Sequence, residues 1–206
     1  SVLTVNVMIY AVASLSFMLI GYEYAFGSWD HQDGISKYAF FMFQMAFVGK
    51  VVNIMSGGVS ERSRILPLAL FTVAVGAFIY PTIVNITWGA NFLSGTFLDI
   101  SGMADLAGST VIHSTGGWAL LAAILIMGAR RGRFKKNGAI QVIPASNIPL
   151  VTLGAFLLWI GWFGFNGGSV GAISSKENAD AVALTIMNTN TAGISGAIVG
   201  WLLTYY

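Results

Sequence analysis

Charge is what this chain lacks most. Only 9% of its residues are Asp, Glu, Lys or Arg, against 56% hydrophobic ones, where a soluble domain carries about a quarter of its residues charged. So few charges cannot clothe a water-soluble surface, and a mean hydropathy of +0.76 agrees. Cysteine is absent, which excludes a disulfide framework and a thiolate metal site and leaves the redox compartment unmarked. Histidine occurs twice. No cluster of metal ligands, nucleophile–base pair or phosphate-binding loop is visible, and Ser169, after two glycines, has no partner base in its segment. An enzyme is therefore not expected, nor a cofactor or metal. The start lies inside an apolar run without a basic leader, so further sequence is expected upstream.

Long apolar runs are abundant. A helical crossing of the hydrocarbon layer needs about 20 mostly apolar residues, and six such stretches are readable: 2–24, 38–59, 65–88, 104–129, 148–165 and 181–205. The expected fold class is an all-α, polytopic membrane helix bundle forming a single transmembrane domain over 1–206. The fifth stretch is short and is expected to end in the glycine-rich run Gly164 to Gly168.

The net charge of +2 is concentrated, not spread for nucleic acid. Loop 60–64 carries Arg62 and Arg64, and loop 130–136 carries Arg130, Arg131, Arg133, Lys135 and Lys136. Two spans separate these loops, so they share one side, and the positive-inside rule makes that side cytoplasmic. The opposite side holds Asp30, Asp33, Asp99, Glu177 and Asp180 against Lys37 and Lys176. The second basic loop reads either as a topology anchor or as an anionic-lipid contact.

Polar residues inside a span require explanation, because hydrocarbon penalises them. His113 offers a donor and an acceptor on one ring, which suits a narrow pore or a hydrogen bond to a neighbouring helix. Asp105 stands where a carboxylate can accept first-turn N–H groups; a structural cap is favoured over substrate contact. Phe43, Phe47, Lys50 and Ile54 recur at spacings of four, three and four, one helical stripe. Lys50 lies about 15 Å from the inner end of its span at helical rise, too deep to snorkel easily. It should face a partner or an aqueous lumen, or lose its charge. Gln44 and Asn53 add polar edges to the same span. Glycines at small-x-x-small spacing, among them Gly161, Gly164, Gly193 and Gly196, favour close helix packing.

Several segments in fixed order resemble the ammonium transporter (Amt/Mep/Rh) family, the Amt branch more than the Rh. They are Phe43-Gln44-Met45-Ala46-Phe47 followed by Ser56-Gly57-Gly58-Val59-Ser60-Glu61-Arg62, then Tyr80 to Trp88-Gly89, then Asp105 to His113, and Gly161 to Ser169. Ile148-Pro149-Leu150 and Met187-Asn188-Thr189-Asn190 add to the likeness. The resemblance implies a channel for ammonium or ammonia in the cell membrane, built as a homotrimer in the lipid bilayer with one pore per subunit. By position, Phe47, Trp88 and Ser169 match the outer cation site, and Phe47 and Phe165 the stacked gate below it. His113, Trp162, Leu158 and Tyr80 match lumen-lining positions, and Asp105 a supporting aspartate.

Three departures accompany the likeness. The family has about eleven spans, and these six resemble spans two to seven. The second pore histidine belongs to a later helix, whereas His31 sits in an outer loop, and the loop Gly27–Lys37 is short for the family. Lys50 replaces an apolar, pore-facing position. The last departure leaves a second reading open: an ammonium-sensing receptor that keeps the outer site and does not conduct.

Overall fold

The structure is a computed structural model. It describes residues 2–29, 35–89, 91–97, 99–100 and 102–205. His31, Asp30 and Asp33, assigned above to an outer loop, lie outside the described residues. Among those residues six helical rods occur: α1 (Val2–Phe26), α2 (Lys37–Val59), α3 (Ile65–Thr87), α4 (His113–Met127), α5 (Ile148–Gly168) and α6 (Lys176–Tyr205). All but α4 are long and apolar enough to cross a membrane. The chain divides into two compact units, Ser1–Gln141 and Val142–Tyr206.

In the first unit, α1 packs against α2 and α3, and α2 against α4. Two of the rods carry one widened π turn each, at Phe17–Gly21 in α1 and Val75–Ile79 in α3. The second precedes Pro81, whose ring has no N–H to donate to the turn before it; loosening that turn accommodates the break. The two widened turns meet at glycine. A Cβ on Gly21 would stand 2.4 Å from the Gly76 carbonyl oxygen, and one on Gly76 would stand 2.8 Å from that of Ala13. Missing side chains let the backbones touch, the device membrane helices use where no hydrophobic effect drives association. Around the crossing, Ile9, Phe17, Tyr22, Val75, Tyr80 and Val84 are buried.

The stretch 104–112 is not the opening of a long fourth span. It folds into turns, and α4 begins only at His113, giving 15 residues in place of the expected 104–129. The cause is Asp105. Its carboxylate accepts hydrogen bonds from the backbone N–H groups of Gly108 (2.8 Å), Ser109 (3.0 Å), Thr110 (2.8 Å) and Val111 (2.9 Å). Gly108 adopts φ +93°, a conformation that side chains resist. Four donors satisfied by one charged group hold the segment in a coil as firmly as helix bonds would.

After α4, a tight turn pairs Phe134 with Ile140 in an antiparallel bridge. Its base is held to the loop after α2 by the Arg130–Glu61 ion pair and by Arg62, which donates to the carbonyls of Gly128 and Gly58.

The second unit is a pair of antiparallel-connected rods. Asn147 caps α5 by accepting from the Leu150 N–H at 2.9 Å, with Pro149 in the first turn. The helix runs three residues beyond the expected Phe165 and ends on Gly168, the last glycine of the run. Contacts with α6 support it there: Asn166 donates to the Thr189 hydroxyl at 2.8 Å, and Gly167 lies against Ile186. Trp159 donates to the Asn190 side-chain oxygen at 3.1 Å and stacks over Gly193. A Cβ added at Gly161, Gly164 or Gly196 would meet nothing within 4 Å, so within this unit only part of the small-residue pattern is used. Ser175 caps α6, accepting from the Asn178 N–H at 3.2 Å, so the helix starts five residues earlier than hydropathy alone placed it.

Candidate functional site

The first unit assembles an aromatic corner. Phe43 and Phe47 share one stripe of α2, with ring centroids 4.4 Å apart, and Phe47 approaches the Trp88 indole at 6.0 Å and an interplanar angle of 45°. Trp88 follows directly on α3, and its Nε1–H donates to the Asp105 carbonyl oxygen at 2.7 Å. Asp105 thus acts twice: its carboxylate shapes the turn, and its carbonyl fixes the indole. A desolvated small cation is attracted to aromatic faces so arranged, by about 0.5–2 kcal/mol per ring.

Asn85, which the sequence reading passed over, steadies the same corner. Its amide donates to the carbonyls of Tyr24 (3.0 Å) and Ala25 (3.2 Å), and its oxygen accepts from the Phe92 N–H at 3.0 Å. This clasp ties the end of α1 to the end of α3, one turn before Trp88. An asparagine inside an apolar span, three residues ahead of a motif tryptophan, was the available signal.

His113 opens α4. Its Nδ1 lies 3.2 Å from the Gly108 carbonyl oxygen. A carbonyl only accepts, so Nδ1 carries the hydrogen in that bond, and Nε2 of the neutral ring is the acceptor nitrogen. The ring is exposed in this unit, while Lys50 on α2 is half-buried and Phe47 buried. Among the described residues Lys50 makes no hydrogen bond or ion pair. Tyr80, expected along the lumen, is wholly enclosed beside Phe17, their centroids 6.0 Å apart. Its hydroxyl, the Tyr22 hydroxyl and the Gln44 side-chain oxygen are buried without a hydrogen-bond partner among the described residues.

In the second unit, Leu158, Trp162, Phe165 and Ser169 recur at spacings of four, three and four, the first three on one stripe of α5 and Ser169 at its C-cap. Leu158 and Trp162 are exposed in this unit. The Ser169 hydroxyl donates to the Phe165 carbonyl at 2.7 Å, leaving its oxygen able to accept from a cationic N–H. Phe47, Trp88, Asp105, Lys50, His113 and Tyr80 thus belong to the first unit and Leu158, Trp162, Phe165 and Ser169 to the second.

Five membrane-length apolar rods among the described residues, bonded through intramembrane asparagine, threonine and glycine, define a multi-pass membrane protein. Residues 1–206 match the family model described as Ammonium Transporter Family, and the chain belongs to that family. It is 31% identical over 223 residues to the ammonium transporter Amt2 of Archaeoglobus fulgidus, covering 100% of this chain and 47% of that protein. Ammonium transporter 1 member 2 of Oryza sativa subsp. japonica is 33% identical over 96% of this chain and 45% of its own length. Ammonium transporter 1 member 3 of Solanum lycopersicum is 35% identical over 97% of this chain and 48% of its own. The chain spans about half the length of the curated relatives it matches.

Proposed function

We propose that this chain is part of a channel that conducts ammonium or ammonia across the cell membrane. Relatives named as ammonium transporters support the substrate. The observation that carries the reading is the Phe47–Trp88 corner, 6.0 Å between rings, with the indole tied to Asp105. In this reading Phe47, Trp88 and Ser169 recruit the cation on the outer side, and Phe47 and Phe165 gate the path below. His113, Trp162, Leu158 and Lys50 line the lumen, and Asp105 holds the frame. Loops 60–64 and 130–136 face the cytoplasm, and the working protein is a homotrimer in the bilayer.

The test is ammonium-dependent uptake by the full-length protein in proteoliposomes. Trp88→Ala should raise the half-saturating ammonium concentration about tenfold, the equivalent of one lost cation–π contact, with the trimer intact. An unchanged half-saturation would remove Trp88 from the site.

Lys50 favours one second reading, in which the outer site senses ammonium and the pore does not conduct. A native protein that binds ammonium and passes none in either protonation state would decide for it.

A further inference from the structure

Lys50 and His113 lie at the same depth on neighbouring parallel helices. Two close contacts fix the register of α2 against α4. A Cβ on Gly116 would stand 3.0 Å from Ile54 Cβ and 3.0 Å from the Val51 carbonyl oxygen, and one on Gly58 would stand 2.3 Å from Leu120 Cδ1. Ile54 with Gly116, and Gly58 with Leu120, are each one turn on from the other, so residue numbers rise together and the helices run parallel. One turn back towards the N-termini, Lys50 falls opposite Ile112 and His113, within about one residue, or roughly 1.5 Å of rise.

Their sides agree as well as their depths. Lys50 lies four residues before Ile54 on the stripe turned to α4, and His113 three before Gly116 on the face turned to α2. The His113 Nδ1–H is directed to the Gly108 carbonyl, which makes Nε2 the acceptor. Lys50 brings an amine with hydrogens to donate and, among the described residues, makes no ion pair.

We propose that the Lys50 side chain is a tethered ammonium group set before the acceptor nitrogen of His113, and that it makes this lumen pass neutral ammonia and reject cations. The proposal rests on the conduction reading above for its consequence, though not for its geometry. The lysine occupies the place a travelling ammonium would take at the histidine. Its charge repels the next cation, steeply in a poorly screened lumen, while a neutral molecule meets only a narrowed passage.

The experiment applies an ammonium jump to the full-length protein in proteoliposomes and reads charge movement and interior alkalinisation together. The native protein should alkalinise the interior with little current. Lys50→Leu should raise the current about tenfold or more, and Lys50→Arg, which keeps the charge, should hold it low. Native current equal to that of Lys50→Leu overturns the proposal. Should neither protein move ammonium in either form, the conduction reading fails, and the pair is decided separately by NMR. After reductive methylation with labelled formaldehyde, the Lys50 resonance, assigned by its loss in Lys50→Arg, should shift in His113→Phe. An unmoved resonance overturns the pairing.

Discussion

The two units hold together by different means. In the first, 28%, 50% and 44% of the best membrane-length windows of α1, α2 and α3 are buried, whereas in the second α5 buries none and α6 6%. The first unit has a core of its own, closed by glycine contacts and by polar clasps at the helix ends. The second has a seam, made by two polar bridges and by glycines that admit a tryptophan and an isoleucine. Within themselves, the first unit is held by close backbone packing and the second by two polar bridges. The lesson concerns the site: the aromatic corner belongs to the unit with its own core, and buried Phe47 joins it to that core while Phe43 and Trp88 are half-buried.

That contrast can be broken most severely at the α1–α3 crossing. Gly76→Leu would drive a side chain into the Ala13 backbone, 2.8 Å from where a Cβ begins, and backbone cannot yield cheaply. A destabilisation of about 3 kcal/mol is expected, read as a lowered unfolding midpoint of the purified full-length protein. A midpoint unchanged from the native one would show that the crossing does not hold the unit. Next in size is Asp105→Ala, which strips four backbone donors of their acceptor. A loss of about 2 kcal/mol is expected, accompanied by a change in Trp88 emission as its carbonyl partner is released. Stability lost with emission unmoved would separate the turn from the indole and deny the double role of Asp105. The smallest effect belongs to the seam. Asn190→Ala removes the partner of the Trp159 N–H, and intramembrane hydrogen bonds are worth only about 0.6 kcal/mol on average. A larger loss than that of Asp105→Ala would reverse the ranking of the two units.

Much of this was legible in the residues themselves. Hydropathy located five rods to within a few residues, because a continuous apolar run of that length has little alternative in lipid. It misjudged the fourth. Ala104 to Ala129 is apolar enough to read as helix, yet one carboxylate followed by Leu-Ala-Gly can satisfy four N–H groups without a helix, and average hydropathy is blind to that. The fifth rod was placed slightly short: Asn166 and Gly167 bond and pack against α6, and the helix runs to the last glycine of the run at Gly168 rather than to Phe165. Within the site, the stripe spacing placed Phe43 and Phe47 together, and the family resemblance implied Trp88 beside Phe47. The enclosure of Tyr80 and the clasp of Asn85 depend on contacts between helices distant in sequence, which no local pattern encodes. The register that sets Lys50 opposite His113 is of the same kind, fixed by Gly116 and Gly58 across two rods.

The most direct measurement of the central claim is an experimental structure of the full-length protein at saturating methylammonium. The account predicts the cation between the Phe47 and Trp88 rings, within about 6 Å of each centroid, and its loss in Trp88→Ala at the same concentration. A cation held elsewhere, or an aromatic corner left unoccupied at saturation, would contradict it.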